Sequence, residues 1–327
     1  MLVLNEASIK KIYSMKDCLK DTEQAFRYYQ SKQTKAPVRM SVSYPEAEAE
    51  TLYMPSFIEA EKYMSVKVVS IFPKNAEEGR DVLQSVILLT DAVTGEHKAI
   101  MGASYLTVLR TGASSGAATK YLSRKNSKIL AVIGCGAQSI GQIQAVMSVR
   151  EINEIILYNR TSGKAEALRE ILLELYPDCQ VYIEGNPDAA VHRADIVNCS
   201  TKSSVPLFNG DIIKPGTHIN AIGSYLPHMQ EVDSKTLNKS SKIVVDTIEG
   251  VLQEAGDFLI PIANNEWQPQ SIYGEISEII CSEKLGRTDE DEITFYKSVG
   301  IGYLDTMAAI SIYKKAIKSG LGQEINL

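Results

Sequence analysis

The sequence contains few of the residues from which proteins build metal centres or disulfide scaffolds. Its 327 residues include five cysteines and four histidines. The cysteines are widely separated and form no CxxC pair, and no histidine stands at metal-ligand spacing beside them. This scarcity disfavours a zinc site and a disulfide framework. No metal is therefore expected, and the cysteines are predicted to be reduced thiols, most of them buried.

Long apolar runs and blocks of like charge are also missing. No uncharged apolar run approaches the ~18 residues that could span a bilayer, which disfavours a membrane protein. The 34 basic and 40 acidic side chains are dispersed and give a net charge of −6, which disfavours nucleic-acid binding. The N-terminus lacks the basic start and the long apolar segment of a secretory signal. The chain is therefore predicted to be soluble and cytoplasmic.

Two regions of the chain differ in the pattern of their apolar residues. Up to about residue 122, a short strand and an amphipathic helix are followed by consecutive strand-like segments, which favour an antiparallel sheet. From residue 123, strands alternate with helical stretches, which is typical of a parallel doubly wound sheet. The strands of this second region are expected at 129–133, 154–158, 180–184, 196–200, 218–222 and 243–246.

The predicted fold class is therefore α/β, with a Rossmann domain at residues 123–302 and an α+β domain that begins with residues 1–122. A final helix at 303–319 follows the expected end of the parallel sheet, so residues 303–327 are predicted to complete the first domain. The segment 111–118 is so poor in bulky side chains that another helix or a ligand must approach it closely.

A glycine-rich turn follows the apolar strand at 129–133. The first glycine permits a tight turn, the second lets the backbone approach a pyrophosphate, and the next helix offers free N–H groups to the anion. Because strand, turn, helix and second strand occur in this order, the segment predicts a dinucleotide site rather than a merely structural turn. The residues predicted to bind the cofactor here are Gly134, Gly136, Ala137, Gln138 and Ser139, the last standing in place of a third glycine.

The end of the next strand predicts which nicotinamide cofactor is preferred. Where an NAD site places an acid on the ribose 2′-hydroxyl, the sequence reads Asn159-Arg160-Thr161, with Lys164 shortly after. Cationic and hydroxyl donors suit a 2′-phosphate, so NADPH is predicted as the preferred cofactor and NADH as the alternative. The other interpretation of Arg160 is an exposed arginine at the start of a helix.

Several motifs, taken in order along the chain, carry a resemblance to a known family. They are Tyr53-Met54-Pro55, Lys67 ahead of the segment 72–75, the segments 109–113, 134–138 and 220–223, Pro227 with Glu231, and the segment 298–300. In these motifs the sequence resembles the ornithine cyclodeaminase and mu-crystallin family over nearly its whole length. The resemblance implies a homodimer. It also implies that the first domain, completed by the C-terminal helix, binds substrate and dimerises, while the Rossmann domain holds a nicotinamide cofactor.

Three basic residues are candidates for holding a substrate carboxylate. Lys67 lies in a strand with two apolar faces, so its charge needs a partner unless the side chain snorkels at a strand edge. Arg110 begins the small-residue helix and could pair in a bidentate manner with a carboxylate while Thr111 and Gly112 leave room for the cofactor. The other interpretation of Arg110 is a solvated helix arginine. By the resemblance, Lys67, Arg110 and Arg39 hold the substrate carboxylate.

Further cofactor contacts are expected where strands of the parallel sheet end, because ligands bind at the carboxyl ends of such strands. These contacts are Ser200 and Thr201 after the fourth strand, Ile222 and Gly223 after the fifth and, by the resemblance, Val299 and Gly300 near the nicotinamide.

Two positions depart from the pattern of the cyclodeaminases within this family. Ornithine cyclodeamination needs an acidic general base after the fifth strand, where this sequence has Tyr225. Leu52 stands where the cyclodeaminase has a glutamate. Both departures disfavour cyclodeamination and leave the requirements of a reductase intact.

The predicted activity is NADPH-dependent reduction of a cyclic imine carboxylate. The expected reaction converts Δ1-pyrroline-2-carboxylate to L-proline, with Δ1-piperideine-2-carboxylate to L-pipecolate as a related reaction. The alternatives are an ornithine cyclodeaminase, an alanine or other amino-acid dehydrogenase, and a non-catalytic protein that binds a ligand together with NADPH. Lys67, His228 or a water could keep the imine protonated, and His228 could instead be only an exposed loop histidine.

Overall fold

The computed structural model describes residues 1–326, and Leu327, the last residue of the predicted first domain, lies outside them. Contacts between residues divide the chain into two units. The first consists of Met1–Arg110 and the residues from Ile301 onwards, and the second of Thr111–Gly300. The sequence places the boundaries at 122/123 and 302/303, whereas the first division in the structure falls inside a helix.

The first unit opens with a strand and two helices, followed by a run of strands. The strands are β1 (Leu2–Leu4), β2 (Thr34–Lys35), β3 (Met40–Tyr44), β4 (Ala49–Ile58), β5 (Tyr63–Ile71), β6 (Leu83–Asp91) and β7 (His97–Gly102). The helices are α1 (Glu6–Ile12), α2 (Met15–Gln30) and α3 (Ser104–Leu122), the last of which continues into the second unit. A capping box between Ser14 and Asp17 begins α2 and satisfies backbone donors of its first turn.

The second unit alternates strands with helices. Its strands are β8 (Ile129–Ile133), β9 (Glu154–Tyr158), β10 (Gln180–Ile183), β11 (Ile196–Cys199), β12 (His218–Ala221), β13 (Lys242–Val245), β14 (Ile272–Glu275) and β15 (Thr294–Lys297). Its helices are α4 (Ser139–Met147), α5 (Ser162–Leu175), α6 (Pro187–Arg193), α7 (Ser234–Lys239), α8 (Ile248–Glu254), α9 (Gly256–Ala263) and α10 (Ile276–Ile280).

The strands of the second unit form one parallel sheet in the order β10-β9-β8-β11-β12-β15-β13-β14. Every strand that the sequence predicted in this region is present, and β14 and β15 are additional. β15 pairs with both β12 and β13 and is buried throughout, although its sequence TFYK begins with a threonine and ends with a lysine. A segment of four residues with polar residues at both ends is too short to show the apolar pattern of a buried strand.

The chain returns to the first unit through α11 (Gly302–Ser319) and β16 (Gln323–Glu324). α11 packs against α1, α2 and the sheet strands β4, β5 and β6. The sheet runs β16-β1-β7-β6-β5-β4-β2, with β3 also on β4. Its strands from β4 to β7 are antiparallel, whereas β1 and β7 are parallel. The predicted fold class is confirmed, with a Rossmann unit and an α+β unit that the C-terminal helix completes.

The register of the first sheet determines which side chains share a face. Met54, Lys67 and Ile87 lie opposite one another on β4, β5 and β6, and all three are buried. Because successive side chains of a strand point to opposite faces, the neighbouring row lies on the other side of the sheet. The buried row is therefore the one that includes a lysine.

The small residues of α3 are explained by a neighbouring helix in the second unit. A Cβ on Gly112 would lie 2.2 Å from the carbonyl oxygen of Gly141 in α4, a distance that no side chain tolerates. Glycine is therefore required for this approach. The expectation that Gly112 leaves room for the cofactor is wrong, because backbone of α4 occupies that space.

None of the five cysteines, all of which lie within residues 1–326, forms a disulfide. Four are buried, and Cys281 is half-buried. Within residues 1–326, no helix combines the length and the apolar character needed to cross a bilayer.

Candidate substrate and cofactor sites

The glycine-rich turn after β8 is a tight structure in which the first glycine is required. Gly134 has φ 103°, in the left-handed region, and its N–H donates to the carbonyl of Tyr158 at 2.9 Å. A Cβ at this position would lie 2.6 Å from Cγ2 of Thr201. Both the backbone conformation and the space therefore exclude a side chain here.

The rest of the turn is open in the way that a bound phosphate requires. Gly136 and Ala137 are exposed, and a Cβ on Gly136 would meet nothing within 4 Å. No group of residues 1–326 accepts a hydrogen bond from the N–H of either residue. Oε1 of Gln138 is buried and is likewise without a partner in that range. Donors free at a helix N-terminus fit the pyrophosphate of a dinucleotide.

Ser139 belongs to the frame of this turn. Its side chain is buried, and its hydroxyl donates to the carbonyl of Gly136 at 2.6 Å. The backbone N–H of Ser139 donates to the same carbonyl at 3.0 Å. The serine in place of a third glycine therefore closes the turn just before α4.

The segment expected to contact the ribose is tied to the turn by one side chain. Oδ1 of Asn159 accepts a hydrogen bond from the N–H of Cys135 at 3.0 Å, and Nδ2 of Asn159 donates to the carbonyl of Thr161 at 2.8 Å. Arg160, Thr161 and Lys164 are exposed around the start of α5. The segment 159–164 contains no acid. Its two cations are accessible to a phosphate.

A buried glutamate joins the carboxyl ends of β11 and β12. Oε1 of Glu231 accepts from the N–H of Thr201 at 2.6 Å and from its hydroxyl at 3.0 Å. Oε2 accepts from the N–H of Gly223 at 2.7 Å and of Ser224 at 3.3 Å. Burial raises the pKa of Glu231 to about 7, against the opposing charge of Lys297. Two residues predicted to contact the cofactor, Thr201 and Gly223, are thus held by one carboxylate.

Two further buried acids support neighbouring segments of the same unit. Asp257 accepts from the backbone N–H of Glu231 at 2.6 Å and from Nζ of Lys297 at 2.7 Å. Oδ2 of Asp246 accepts from the N–H of Val299 and of Gly300, each at 2.9 Å. Burial raises the pKa of Asp246. The segment predicted to lie near the nicotinamide is therefore fixed by a carboxylate at the end of β13.

The first unit brings two of the predicted substrate residues together around a third. Nζ of Lys67 donates to Oδ2 of Asp305 at 2.8 Å, and Nε of Arg110 donates to Oδ1 at 3.1 Å. Lys67 is 1% exposed, Asp305 is 0% exposed and Arg110 is buried. The alternatives of a snorkelling lysine and a solvated helix arginine are both wrong, because a buried carboxylate pairs with both cations.

The charges around Lys67 are predominantly positive. Burial, and next the charge of Arg110, lower the pKa of Lys67 to about 7. Asp305 opposes this lowering, and the half-buried Arg39 adds to it. Lys67 and Arg110 share the one carboxylate of Asp305, which leaves an excess of one positive charge when Lys67 is protonated. A monoanionic carboxylate is the ligand that such an excess favours.

The remaining predicted residues occupy less distinctive places. Ser200 donates through its hydroxyl to the carbonyl of Gly134 at 3.2 Å, and Ile222 is buried. Thr111 is half-buried in α3. His228 is exposed in the loop between β12 and α7, and its role as a proton donor stays a prediction.

Sequence analysis missed Asp305 and the supporting role of Glu231. Asp305 is a lone acid in an apolar stretch of the final helix, between Leu304 and Met307. A carboxylate in such a setting needs a buried cation, and that signal could have linked it to Lys67. Glu231 was noticed only as part of a motif. Nothing in the local sequence indicates that its acceptors would all be used by backbone N–H groups.

The chain is similar to a known protein family and to solved structures of its members. The family model described as the ornithine cyclodeaminase/mu-crystallin family matches residues 1–320. A Delta(1)-pyrroline-2-carboxylate reductase from Bacillus cereus is 36% identical over 325 residues, which cover 99% of each chain. The Thermococcus litoralis Delta(1)-pyrroline-2-carboxylate reductase in complex with NADH and L-proline has a TM-score of 0.96 at 36% identity, covering 99% of this chain and 100% of that one. An archaeal alanine dehydrogenase dimer with bound NAD has a TM-score of 0.93 at 29% identity, covering 100% and 99%.

Proposed function

The chain belongs to the ornithine cyclodeaminase/mu-crystallin family, and from this premise we propose that it reduces Δ1-pyrroline-2-carboxylate to L-proline. The predicted enzyme class, an oxidoreductase that acts on carbon–nitrogen bonds with a nicotinamide cofactor, is confirmed by its relatives. The observation that carries the choice of substrate is the buried cluster of Lys67, Arg110 and Asp305, with Arg39 beside it. This cluster has the charge needed to hold a carboxylate away from water.

Arg110 is the main anchor for the substrate carboxylate. Its Nε is engaged by Asp305, and in residues 1–326 no acceptor engages its two terminal nitrogens. A guanidinium held in this way presents a planar pair of donors, which suits the two oxygens of a carboxylate. Lys67 and Arg39 add charge from the strand and from the segment before β3. A substrate carboxylate would balance the positive charge that Lys67 and Arg110 carry beyond the single charge of Asp305.

Lys67 is also suited to supply the proton that the imine nitrogen needs. A group with a pKa of about 7 exists in both protonation states near neutral pH, which is favourable for a general acid. His228 and a water remain the alternatives. A nicotinamide dinucleotide with its pyrophosphate at the turn after β8 would supply the hydride. The residues that would hold the cofactor are those of the turn, together with the segments around Asn159, Thr201, Gly223 and Gly300.

We also propose that NADPH is preferred over NADH. The support is the exposed Arg160 with Lys164 nearby, in a segment without an acid to bind a ribose 2′-hydroxyl. A 2′-phosphate would gain charge-assisted hydrogen bonds there. NADH lacks that phosphate and is the weaker cofactor in this proposal.

The six-membered Δ1-piperideine-2-carboxylate is proposed as a second substrate, because it presents the same carboxylate beside the same C=N bond. Cyclodeamination of ornithine is disfavoured by the residues present. Tyr225 is half-buried after β12, where the cyclodeaminase has its base, and a tyrosine is a poor base at neutral pH. Leu52 is packed in an apolar cluster with Val69 and Ile71.

A homodimer is proposed from the outer face of the first sheet. Met40, Tyr53, Val68 and Val86 lie opposite one another on β3, β4, β5 and β6, on the face away from Lys67. Met40 and Val86 are exposed, and Tyr53 and Val68 are half-buried. An apolar sheet face of this kind is favourable for burial against a second copy. Light scattering of the purified protein should give the mass of a dimer, and a monomer at micromolar concentration would contradict this proposal.

The decisive experiment is a spectrophotometric screen of nicotinamide oxidation at about 340 nm. The substrates are the two cyclic imine carboxylates, pyruvate with ammonia, and ornithine with NAD, and ammonia is assayed in parallel. We expect rapid NADPH oxidation with Δ1-pyrroline-2-carboxylate and little ammonia from ornithine. Ammonia release from ornithine without imine reduction would identify a cyclodeaminase. Turnover only with pyruvate would identify an alanine dehydrogenase, and binding of NADPH without any turnover would identify a non-catalytic binder.

A further inference from the structure

Asp305 is a buried acid on α11 that contacts both Lys67 and Arg110. We propose that Asp305 is a positioning residue, which aims Arg110 at the substrate carboxylate and keeps the proton on Lys67. This inference rests on the proposed function, since it concerns the same carboxylate site. It makes α11 a part of the substrate site.

The geometry separates the two oxygens of the carboxylate by task. Oδ1 accepts from Nε of Arg110 at 3.1 Å and Oδ2 from Nζ of Lys67 at 2.8 Å. Engagement at Nε holds the plane of the guanidinium, and within residues 1–326 no acceptor engages its two terminal nitrogens. A carboxylate that took the terminal nitrogens instead would compete with the substrate. The side-on contact therefore orients Arg110 without blocking it.

The contacts of neighbouring residues on α11 hold Asp305 in place. The next residue, Thr306, forms side-chain hydrogen bonds with Ser56 on β4 and with Ser65 on β5, the latter at 2.8 Å. A Cβ on Gly302, one turn before Thr306, would approach Cβ of Ser56 to 3.1 Å, so α11 lies close against β4. The strand that carries Lys67 and the helix that carries Asp305 are thus held together independently of the ion pair.

The surroundings of Lys67 make Asp305 its essential counter-ion. The largest charge effects on Lys67 come from Arg110 on α3, Asp305 on α11 and Arg39 before β3. The nearby thiol of Cys18 on α2 is neutral, because burial raises its pKa to about 12. Asp305 is therefore the one negative charge among these groups. Without it, burial and the two arginines would remove the proton from Lys67 at a lower pH.

The test uses a carboxylate probe that cannot react, so that binding is measured without turnover. Pyrrole-2-carboxylate is titrated calorimetrically into the full-length protein from about pH 5.5 to about pH 8.5. The variants are Asp305→Asn and, as a matched control on the same helix, Thr306→Val, which removes hydrogen bonds to the same strands but no charge. Circular dichroism and the fluorescence of bound NADPH establish that each variant is folded.

The wild-type protein is expected to lose affinity for the probe as pH rises through about 7, because Lys67 loses its charge. In Asp305→Asn this midpoint should move down by at least about one pH unit. The alkaline limb of kcat/KM for the imine should move with it. Thr306→Val should keep the wild-type midpoint. A merely structural role for Asp305 would lower affinity or stability and leave the midpoint where it is.

Asp305→Glu is the second variant, in case the asparagine variant does not fold. It keeps the negative charge but displaces the carboxylate, so the midpoint should stay near the wild-type value while kcat/KM falls at least about tenfold through misaligned Arg110. Wild-type activity in Asp305→Glu would overturn the positioning role. An unchanged midpoint in folded Asp305→Asn would overturn the role toward Lys67. If the wild-type protein bound no probe at any pH, the carboxylate site itself, and with it the proposed function, would fail.

Discussion

Two buried carboxylates organise the two candidate sites, and they do so in different ways. In the first unit, the two carboxylate oxygens of Asp305 accept hydrogen bonds from the side chains of Lys67 and Arg110. Glu231 in the second unit uses both oxygens on the backbone N–H groups of Thr201, Gly223 and Ser224, with one side-chain hydroxyl. The first arrangement determines charge and the second determines the path of the chain. Asp305 thus acts on charged side chains, and Glu231 acts on the backbone of two loops.

The difference follows from what each ligand presents. The carboxylated imine that we propose as substrate offers one charged group, so a site for it needs cations of known protonation state and direction. A dinucleotide is long and is held at many points, so its site needs loops of fixed shape at the ends of the strands. In the second unit the loops are also very close, since a Cβ on Gly223 would lie 2.1 Å from the carbonyl oxygen of Thr201.

The largest effect is expected from the cations of the first unit. Arg110→Ala removes the anchor and leaves Asp305 with one partner, so kcat/KM for the imine should fall by about two to three decades. Lys67→Ala should fall comparably, because it removes both charge and the proposed proton donor. Steady-state kinetics give kcat/KM, and the fluorescence of bound NADPH should report near-normal cofactor affinity in both variants.

The matched control is Lys98→Ala, which removes a lysine of the same sheet that pairs with Glu96 near the surface. It should keep wild-type activity. If Arg110→Ala and Lys67→Ala were both fully active toward a carboxylated imine, the substrate site would lie elsewhere, and Asp305 would have no role in it.

An intermediate effect is expected at Arg160, which contributes to cofactor binding by charge and not by shape. Arg160→Ala should weaken NADPH binding by about one to two decades, corresponding to about 1.5 to 3 kcal/mol for a charge-assisted interaction. NADH serves as the internal control, because it lacks the 2′-phosphate and should bind the variant almost unchanged. Equal kcat/KM values for NADPH and NADH in the unmodified protein would remove the reason for this assignment.

The smallest effect is expected at Glu231. Glu231→Gln keeps the size of the side chain but turns one acceptor into a donor that faces backbone N–H groups, so part of the network is lost. NADPH affinity should fall about tenfold, while the affinity for pyrrole-2-carboxylate changes by less than about twofold. The exposed Glu170→Gln on α5 is the control. If Glu231→Gln lowered the affinity for pyrrole-2-carboxylate and left NADPH affinity unchanged, Glu231 would not act on the cofactor site as proposed.

The features that the sequence predicts correctly are those whose pattern of residues lies within a short segment. The turn after β8 was identified because strand, glycines and helix are adjacent, and Gly134 has the left-handed φ that this motif implies. The strands β8 and β9 begin and end where their apolar runs do. Sequence analysis failed at β15, whose four residues acquire their buried, central place only through pairing with β12 and β13. At Gly112 the sequence leaves a helix and a ligand as alternatives, and the structure identifies the neighbour as Gly141 in α4.

The fold class and the nucleotide turn follow from the sequence alone, and the family resemblance adds the three cations proposed for the substrate site. Each of these depends on a local pattern or on the kind of side chain at a position. The folded chain was needed to show that Lys67 and Arg110 share a partner, because Asp305 lies 238 residues from Lys67 and 195 from Arg110 along the chain. A charged residue in an apolar segment indicates that a counter-ion is needed, but the local sequence does not indicate which residue provides it. The packing of α11 on β4 and β5 supplies the answer, because burial of the helix's apolar face carries the carboxylate to the lysine.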